Sequence, residues 1–169
     1  VKVLHLQNNR LESLPLEFTQ LTTLQHVLLQ NNRLTELPRN WRNMEQLDTL
    51  DLANNYVSAI PEKFCLAPAL VYLDVSKNRL YRLPSSIGEL KTLRYLNASG
   101  NDLRELPVSI TELGELEYLD LSRNNLSRLP QDVSGWRSLK YLDLRKNRPL
   151  DPDLVAQLRA QLPGVEILD

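Results

Sequence analysis

The stretch LEYLDLSRNNLSRLP, residues 116–130, carries apolar residues at Leu116, Leu119, Leu121 and Leu126 and an asparagine at Asn124. The alternation Tyr118-Leu119-Asp120-Leu121 has the period of a strand, with the leucines facing one side and Tyr118 and Asp120 the other. Counting Leu116 as position one, the pattern L-x-x-L-x-L-x-x-N-x-L recurs in both directions every 23 residues, from Val1, Leu24, Leu47, Leu70, Leu93, Leu116 and Leu139. Such an uninterrupted period identifies a solenoid in which each unit buries its apolar side against its neighbours.

Position nine is Asn9, Asn32, Asn55, Asn78, Asn101, Asn124 and Asn147. There the chain leaves the strand and exposes backbone groups to the core, and an amide satisfies a donor and an acceptor at once. These asparagines are expected to be structural. Six units then run into a Leu-Pro or Ile-Pro step, from Leu14-Pro15 to Leu129-Pro130, followed at one equivalent position by Phe18, Trp41, Phe64, Ile87, Ile110 and Val133. Proline suits an irregular or short helical return. The six apolar residues should seal that side of the core.

The motif resembles the leucine-rich repeat, and the resemblance covers the whole chain. It implies an α/β solenoid, a horseshoe arc with a parallel sheet on its concave wall, short helical or irregular segments on its convex side and a C-terminal helical cap. The repeats are expected over residues 1–148, the last merging into a cap over 149–169, where Pro149 replaces a leucine and Asp151 to Gln161 reads as a helix. The closing Leu162 to Asp169 is similar to that of cytosolic and nuclear members. Val1 enters at the first position of a repeat, so an N-terminal cap or further domain is expected upstream. The repeat length and Leu-Pro step resemble intracellular signalling scaffolds of the Ras-binding and Scribble-like type. They equally resemble recognition domains of bacterial effectors, some of them ubiquitin ligases.

A fold of this kind does not dictate its ligand, which must be sought in the outward residues. Position three reads Val3, His26, Thr49, Tyr72, Tyr95, Tyr118 and Tyr141. Its tyrosines either stiffen the sheet by stacking or offer the large, low-entropy contact area found at binding surfaces. Beside them position five carries Asp51, Asp74, Asp120 and Asp143, interrupted by Asn97. This column is either a solvated face or a selector of basic partners. Arg94, Arg123, Lys140, Arg145 and Lys146 make the C-terminal end mixed in charge, while Gln7, Asn8, Gln30 and Asn31 make the N-terminal end rich in amides. A protein partner on the concave face is the expected ligand.

Other functions find less support. The chain shows no nucleophile–base pair, phosphate loop or metal motif, so the repeats are read as non-catalytic and without a cofactor. Cys65, the only cysteine, falls on a return segment and reads as buried. His5, His26 and Asp51 offer the least implausible metal site, and none is expected. With a net charge of -1 and aspartates among the tyrosines, nucleic acid is an unfavoured partner. No apolar run reaches the length of a membrane span and no leader is evident. One cysteine favours a reducing compartment and a cytoplasmic location, or the host cytosol for an effector. The sequons at Asn97 and Asn125 point weakly the other way.

Overall fold

Strands β1 (Val3–His5), β2 (His26–Leu28), β3 (Thr49–Asp51), β4 (Tyr72–Asp74), β5 (Tyr95–Asn97), β6 (Tyr118–Asp120), β7 (Tyr141–Asp143) and β8 (Glu166–Leu168) lie side by side in chain order, all parallel. The computed structural model describes residues 1–148 and 150–169, so the departure at Pro149 lies outside the described residues. From β1 to β7 the register is strict, each residue pairing with the one 23 positions on, as in Tyr72 with Tyr95 and Leu73 with Leu96; at β8 the offset widens to 25, Tyr141 pairing with Glu166. One sequence pattern is thereby copied into continuous columns across the sheet.

The inward columns form a single core. Leu50, Leu52, Leu73, Leu96, Leu119, Leu121 and Leu142 have no solvent exposure, and each such leucine contributes about 1.5–3 kcal/mol relative to an exposed one. The far wall is Phe18, Trp41, Phe64, Ile87, Ile110 and Val133, all buried. Its first three rings meet edge to face, at 5.8 Å between Phe18 and Trp41 and 5.0 Å between Trp41 and Phe64.

The asparagines at position nine stitch neighbouring units together. Asn78 Nδ2 donates to Val75 and Ser76 in its own unit and to Leu52 in the preceding one, while its Oδ1 accepts from the backbone N–H of Val57. Asn32, Asn55, Asn101, Asn124 and Asn147 repeat this arrangement in buried positions. Asn9 differs, being exposed and donating only to Leu6 and Gln7 of its own unit. The residue just before each asparagine bends through the left-handed region, with φ near 60° at Asn8, Asn31, Asn54, Lys77, Gly100, Arg123 and Lys146.

The return segments are less uniform than the sequence suggests. Short 3-10 turns occur at Leu16–Gln20, Glu62–Leu66, Ile87–Glu89 and Val108–Glu112. In each, a backbone N–H such as that of Phe18 donates to the carbonyl of the proline three residues earlier. In the second unit no such turn forms, and the Trp41 indole N–H takes the Pro38 carbonyl instead, at 2.7 Å. The sixth unit also lacks the turn. There Trp136 Nε1 donates to Ile110 of the preceding unit at 2.8 Å, and Gln161 bonds to Gln131 and Val133. Gly135 permits that close fit, since a Cβ on it would stand 1.8 Å from the Thr111 carbonyl oxygen.

The end of the chain forms α1 (Pro152–Gln161), capped by the Asp151 carboxylate accepting from Asp153 N–H. Val155, Leu158 and Leu162 are buried against the last unit. The chain then returns as β8, which continues the sheet beside β7. The sequence reading placed these residues in the cap without assigning a strand, because three residues are too few to show a period of two.

Candidate interaction face

The outward face of the sheet changes character along its length. From β4 to β7 the strict register sets Tyr72, Tyr95, Tyr118 and Tyr141 in one row, and their rings lie within 8° of parallel. Centroids are 4.3, 4.5 and 4.6 Å apart. Each side chain is half-buried by its neighbours, leaving a strip of ring edges and hydroxyls open. Burial, followed by the neighbouring Tyr72 for Tyr95 and Tyr95 for Tyr118, pushes both phenols well above the usual tyrosine range. They remain neutral at physiological pH and can donate as well as accept.

The acidic column beside this row proves to be largely engaged with its own backbone. Asp51, Asp74, Asn97, Asp120 and Asp143 each accept the backbone N–H two residues on, at 2.8–3.0 Å. They shape the exit from the strand as Asx turns do. Asp74 also accepts from Asn97 Nδ2 at 3.2 Å, and Ser99 Oγ donates to Asn97 Oδ1 at 2.7 Å. Asp74 and Asp143 are buried, the second under the Arg145 guanidinium, whose Nε donates to both carboxylate oxygens. Burial pushes the Asp143 carboxyl up, yet the hydrogen bonds and charge of Arg145 outweigh it and hold the carboxyl below its usual value. Burial, with Asp74 adding to it, raises Asp51.

The cations of the C-terminal end separate into two groups. Arg94 and Lys140 stand where the strands begin and are committed to ion pairs, Arg94 with Glu115 at 3.9 Å and Glu117 at 3.7 Å, Lys140 with Glu117. Arg123, Arg145 and Lys146 stand where the strands end. Arg145 is held by Asp143, whereas Arg123 and Lys146 are exposed and make no ion pair among the described residues.

From β1 to β3 the face is held differently. Asn31 Nδ2 donates to Asn8 Oδ1 and Asn54 Nδ2 to Asn31 Oδ1, both at 2.8 Å, an amide ladder at position eight. His26 Nε2 lies 3.2 Å from Asp48, which also accepts from Thr49. His5 is separated from Asp51 by Leu28, which pairs with both in register. Among the described residues no cluster of three potential ligands is disposed to hold a metal. Cys65 is buried, and burial raises its thiol to about 11. Asn97 is half-buried in the network above, while Asn125 is exposed. No helix among the described residues is long and apolar enough to cross a membrane.

Sequence reasoning missed the amide ladder and the turn bonds of the aspartates. The signal for both was present: an Asx residue two before a turn, and asparagine at one position in three successive units.

Comparisons with known proteins agree with this architecture. The family described as leucine rich repeat matches residues 1–57 and 45–103, and that described as leucine-rich repeat region matches residues 84–162. A search of curated proteins gives no match. Among solved structures, a leucine-rich-repeat protein of Leptospira interrogans is 27% identical with a TM-score of 0.73 over 98% of this chain. The ectodomain of the Arabidopsis thaliana membrane receptor kinase GASSHO1/SCHENGEN3, in complex with Casparian strip integrity factor 2, is 31% identical with a TM-score of 0.76 over 99%. The PEPR1–AtPEP1 structure is 26% identical with a TM-score of 0.80 over 99%. The chain spans 54% of the leptospiral protein but only 21% and 24% of the other two.

Proposed function

The chain belongs to the leucine-rich-repeat family, and on that premise we propose that it is a binding module that receives a protein partner across the concave face of its sheet. The contact strip is the row Tyr72, Tyr95, Tyr118 and Tyr141, and the role is that of a scaffold or adaptor. One observation carries this reading: four stacked, half-exposed rings form a continuous strip with polar tips. Rings already ordered by their neighbours lose little entropy on binding. The row thus does both things the sequence allowed, because stacking prepares the surface that a partner meets.

The aspartates have a narrower part than their exposure in sequence implied. Asp74 and Asp143 position the backbone and neighbouring side chains, and Asp51 and Asp120 border the tyrosine strip with their remaining carboxylate oxygen. The solved ectodomain in complex with Casparian strip integrity factor 2, built on the same repeat architecture, supports a partner of this kind here. The resemblance to signalling scaffolds and effector recognition domains supports an adaptor within a larger assembly.

Affinity capture with mass spectrometry tests the reading. Native protein and a variant with Tyr72, Tyr95, Tyr118 and Tyr141 replaced by alanine, shown to be folded by its circular-dichroism melt, are exposed to the same cell extract. A partner retained by the native protein and lost by the variant is the expected result. Identical partners on both would place recognition elsewhere.

A further inference from the structure

Beyond the sheet, where the strands end, the repeats run on through positions eight, ten, twelve and thirteen along one flank. In the third and fourth units this flank presents two rings to solvent, Tyr56 at 44% and Tyr81 at 52% exposure. Each is covered by a guanidinium. Arg79 Cζ lies 4.4 Å from the centre of the Tyr56 ring, and Arg82 Cζ lies 5.4 Å from that of Tyr81. Arg79 and Tyr56 hold the same position one unit apart, and both backbones are fixed by donating to the preceding unit, at Val57 and Leu34.

The charges on the two flanks are disposed differently. Where the strands begin, Lys91, Arg94 and Lys140 are each matched with a glutamate, while Lys2 and Arg137, at the two ends of the row, make no ion pair among the described residues. Where they end, Arg33, Lys77, Arg79, Arg82 and Arg104 are all exposed and make no ion pair among the described residues. The carboxylates beside Arg82 are engaged otherwise: Glu62 accepts from the N–H groups of Ser85 and Ser86, and Glu105 pairs with Arg128 at 3.8 Å. Asp102 follows Arg79 in its column without pairing to it, and Glu36, exposed at position thirteen of the second unit, is likewise unpaired among the described residues, so five unpaired cations face two unpaired carboxylates. A chain whose net charge is -1 therefore gathers unmatched positive charge along one edge.

We propose that this flank of the second to fifth units receives an acidic peptide segment, a run of aspartate or glutamate carboxylates in the protein partner. It rests on the proposed function in taking that partner's acidic segment as the ligand. A guanidinium lying on an aromatic face keeps its in-plane N–H groups directed outward, in the geometry that takes a carboxylate in two parallel hydrogen bonds. The ring beneath holds it in place, so less freedom is lost on binding. Lys77 and Arg33 extend the attraction along the flank and speed encounter at low salt. A polynucleotide fits less well, because Tyr56 and Tyr81 already carry an arginine where a base would stack.

Fluorescence anisotropy decides it, with three fluorescein-labelled probes: oligoglutamate, oligolysine and a single-stranded RNA of the same length. Native protein should bind oligoglutamate with an affinity that falls as salt is added. The double variant Arg79→Gln/Arg82→Gln should lose about tenfold or more of it, while Arg94→Gln, on the opposite flank, should keep it. Circular-dichroism melts of the variants should match the native protein, since all three positions are exposed. Tighter binding of RNA or oligolysine than of oligoglutamate overturns the proposal, as does equal affinity in the double variant. The tyrosine strip is judged apart: Tyr95→Ala should retain oligoglutamate and lose the captured partner. Retention of both by Tyr95→Ala, with oligoglutamate lost only in the arginine variant, would sink the proposed function and leave the acidic-segment proposal standing.

Discussion

The first three repeats and those that follow allocate their aromatic rings in opposite ways. In the first three, Phe18, Trp41 and Phe64 are packed inside against the return segments, Tyr56 alone stands out on the flank, and the sheet's outward side is tied by the amides of Asn8, Asn31 and Asn54. Later, the equivalent inner positions are the aliphatic Ile87, Ile110 and Val133, and apart from the buried Trp136 the rings stand outside, four of them as the tyrosine row. The backbone, the register and the buried asparagines are shared by both halves. The inward columns are thus closed in both halves, with rings on the outward face in one half only. This difference is the physical basis for the proposal that the tyrosine row serves a partner.

The sharpest way to break this comparison is to remove a ring from each half. Trp41→Ala should destabilise the protein by about 3–5 kcal/mol in urea unfolding, through a cavity in the core and the loss of the indole bond to Pro38. Tyr95→Ala removes two stacked pairs, with Tyr72 and Tyr118, and should cost about 1–3 kcal/mol at about 0.5–1.5 kcal/mol for each. Equal losses would mean that the tyrosines are as structural as the buried rings. A second contrast lies within the asparagine column. Asn78→Ala leaves the Val57 N–H and several carbonyls without a partner and should lose roughly 1–3 kcal/mol, whereas the exposed Asn9→Ala should lose less than about 1 kcal/mol.

Alkaline pH should weaken the tyrosine half selectively. The folded chain holds the protons of Tyr95 and Tyr118 above the ordinary value near 10, while the unfolded chain releases them. The unfolded state then binds fewer protons, so stability falls as pH rises through that region. Melting curves of a Tyr95→Phe/Tyr118→Phe variant should fall off less steeply there than those of the native protein. The smallest effect is expected at the junction of the two halves, where Lys77 occupies the left-handed conformation at φ 52° that Asn54 occupies one unit earlier. Lys77→Asn removes that strain and lengthens the amide ladder, for a gain of about 0.5–1 kcal/mol. No gain in the denaturation midpoint would show that the ladder ends at Asn54 for another reason.

The repeat made the solenoid, the parallel sheet and the inner columns readable from residues alone, since an unbroken period forces each position into a column. Local exchanges were not readable. Nothing in Trp41 announced that its side chain would replace a backbone donor, and three residues of β8 were too short to declare themselves. For the candidate face, alternation identified which residues point outward and so found the tyrosine row. It could not show that the aspartates beside them turn back onto their own backbone. Nor could it show that Arg94 and Lys140 are paired while Arg79 and Arg82, on exposed rings, have no ion pair among the described residues, because ion pairing depends on neighbours a whole repeat away.

The most direct test of the account is titration calorimetry of the captured partner against two single variants, Tyr118→Ala from the tyrosine half and His26→Ala from the amide half. Position three is changed in both, on the same sheet face. The account requires the Tyr118→Ala variant to lose about tenfold or more in affinity, as a buried aromatic anchor does, and the His26→Ala variant to bind as the native protein. Loss confined to His26→Ala, or equal binding by both, would contradict it.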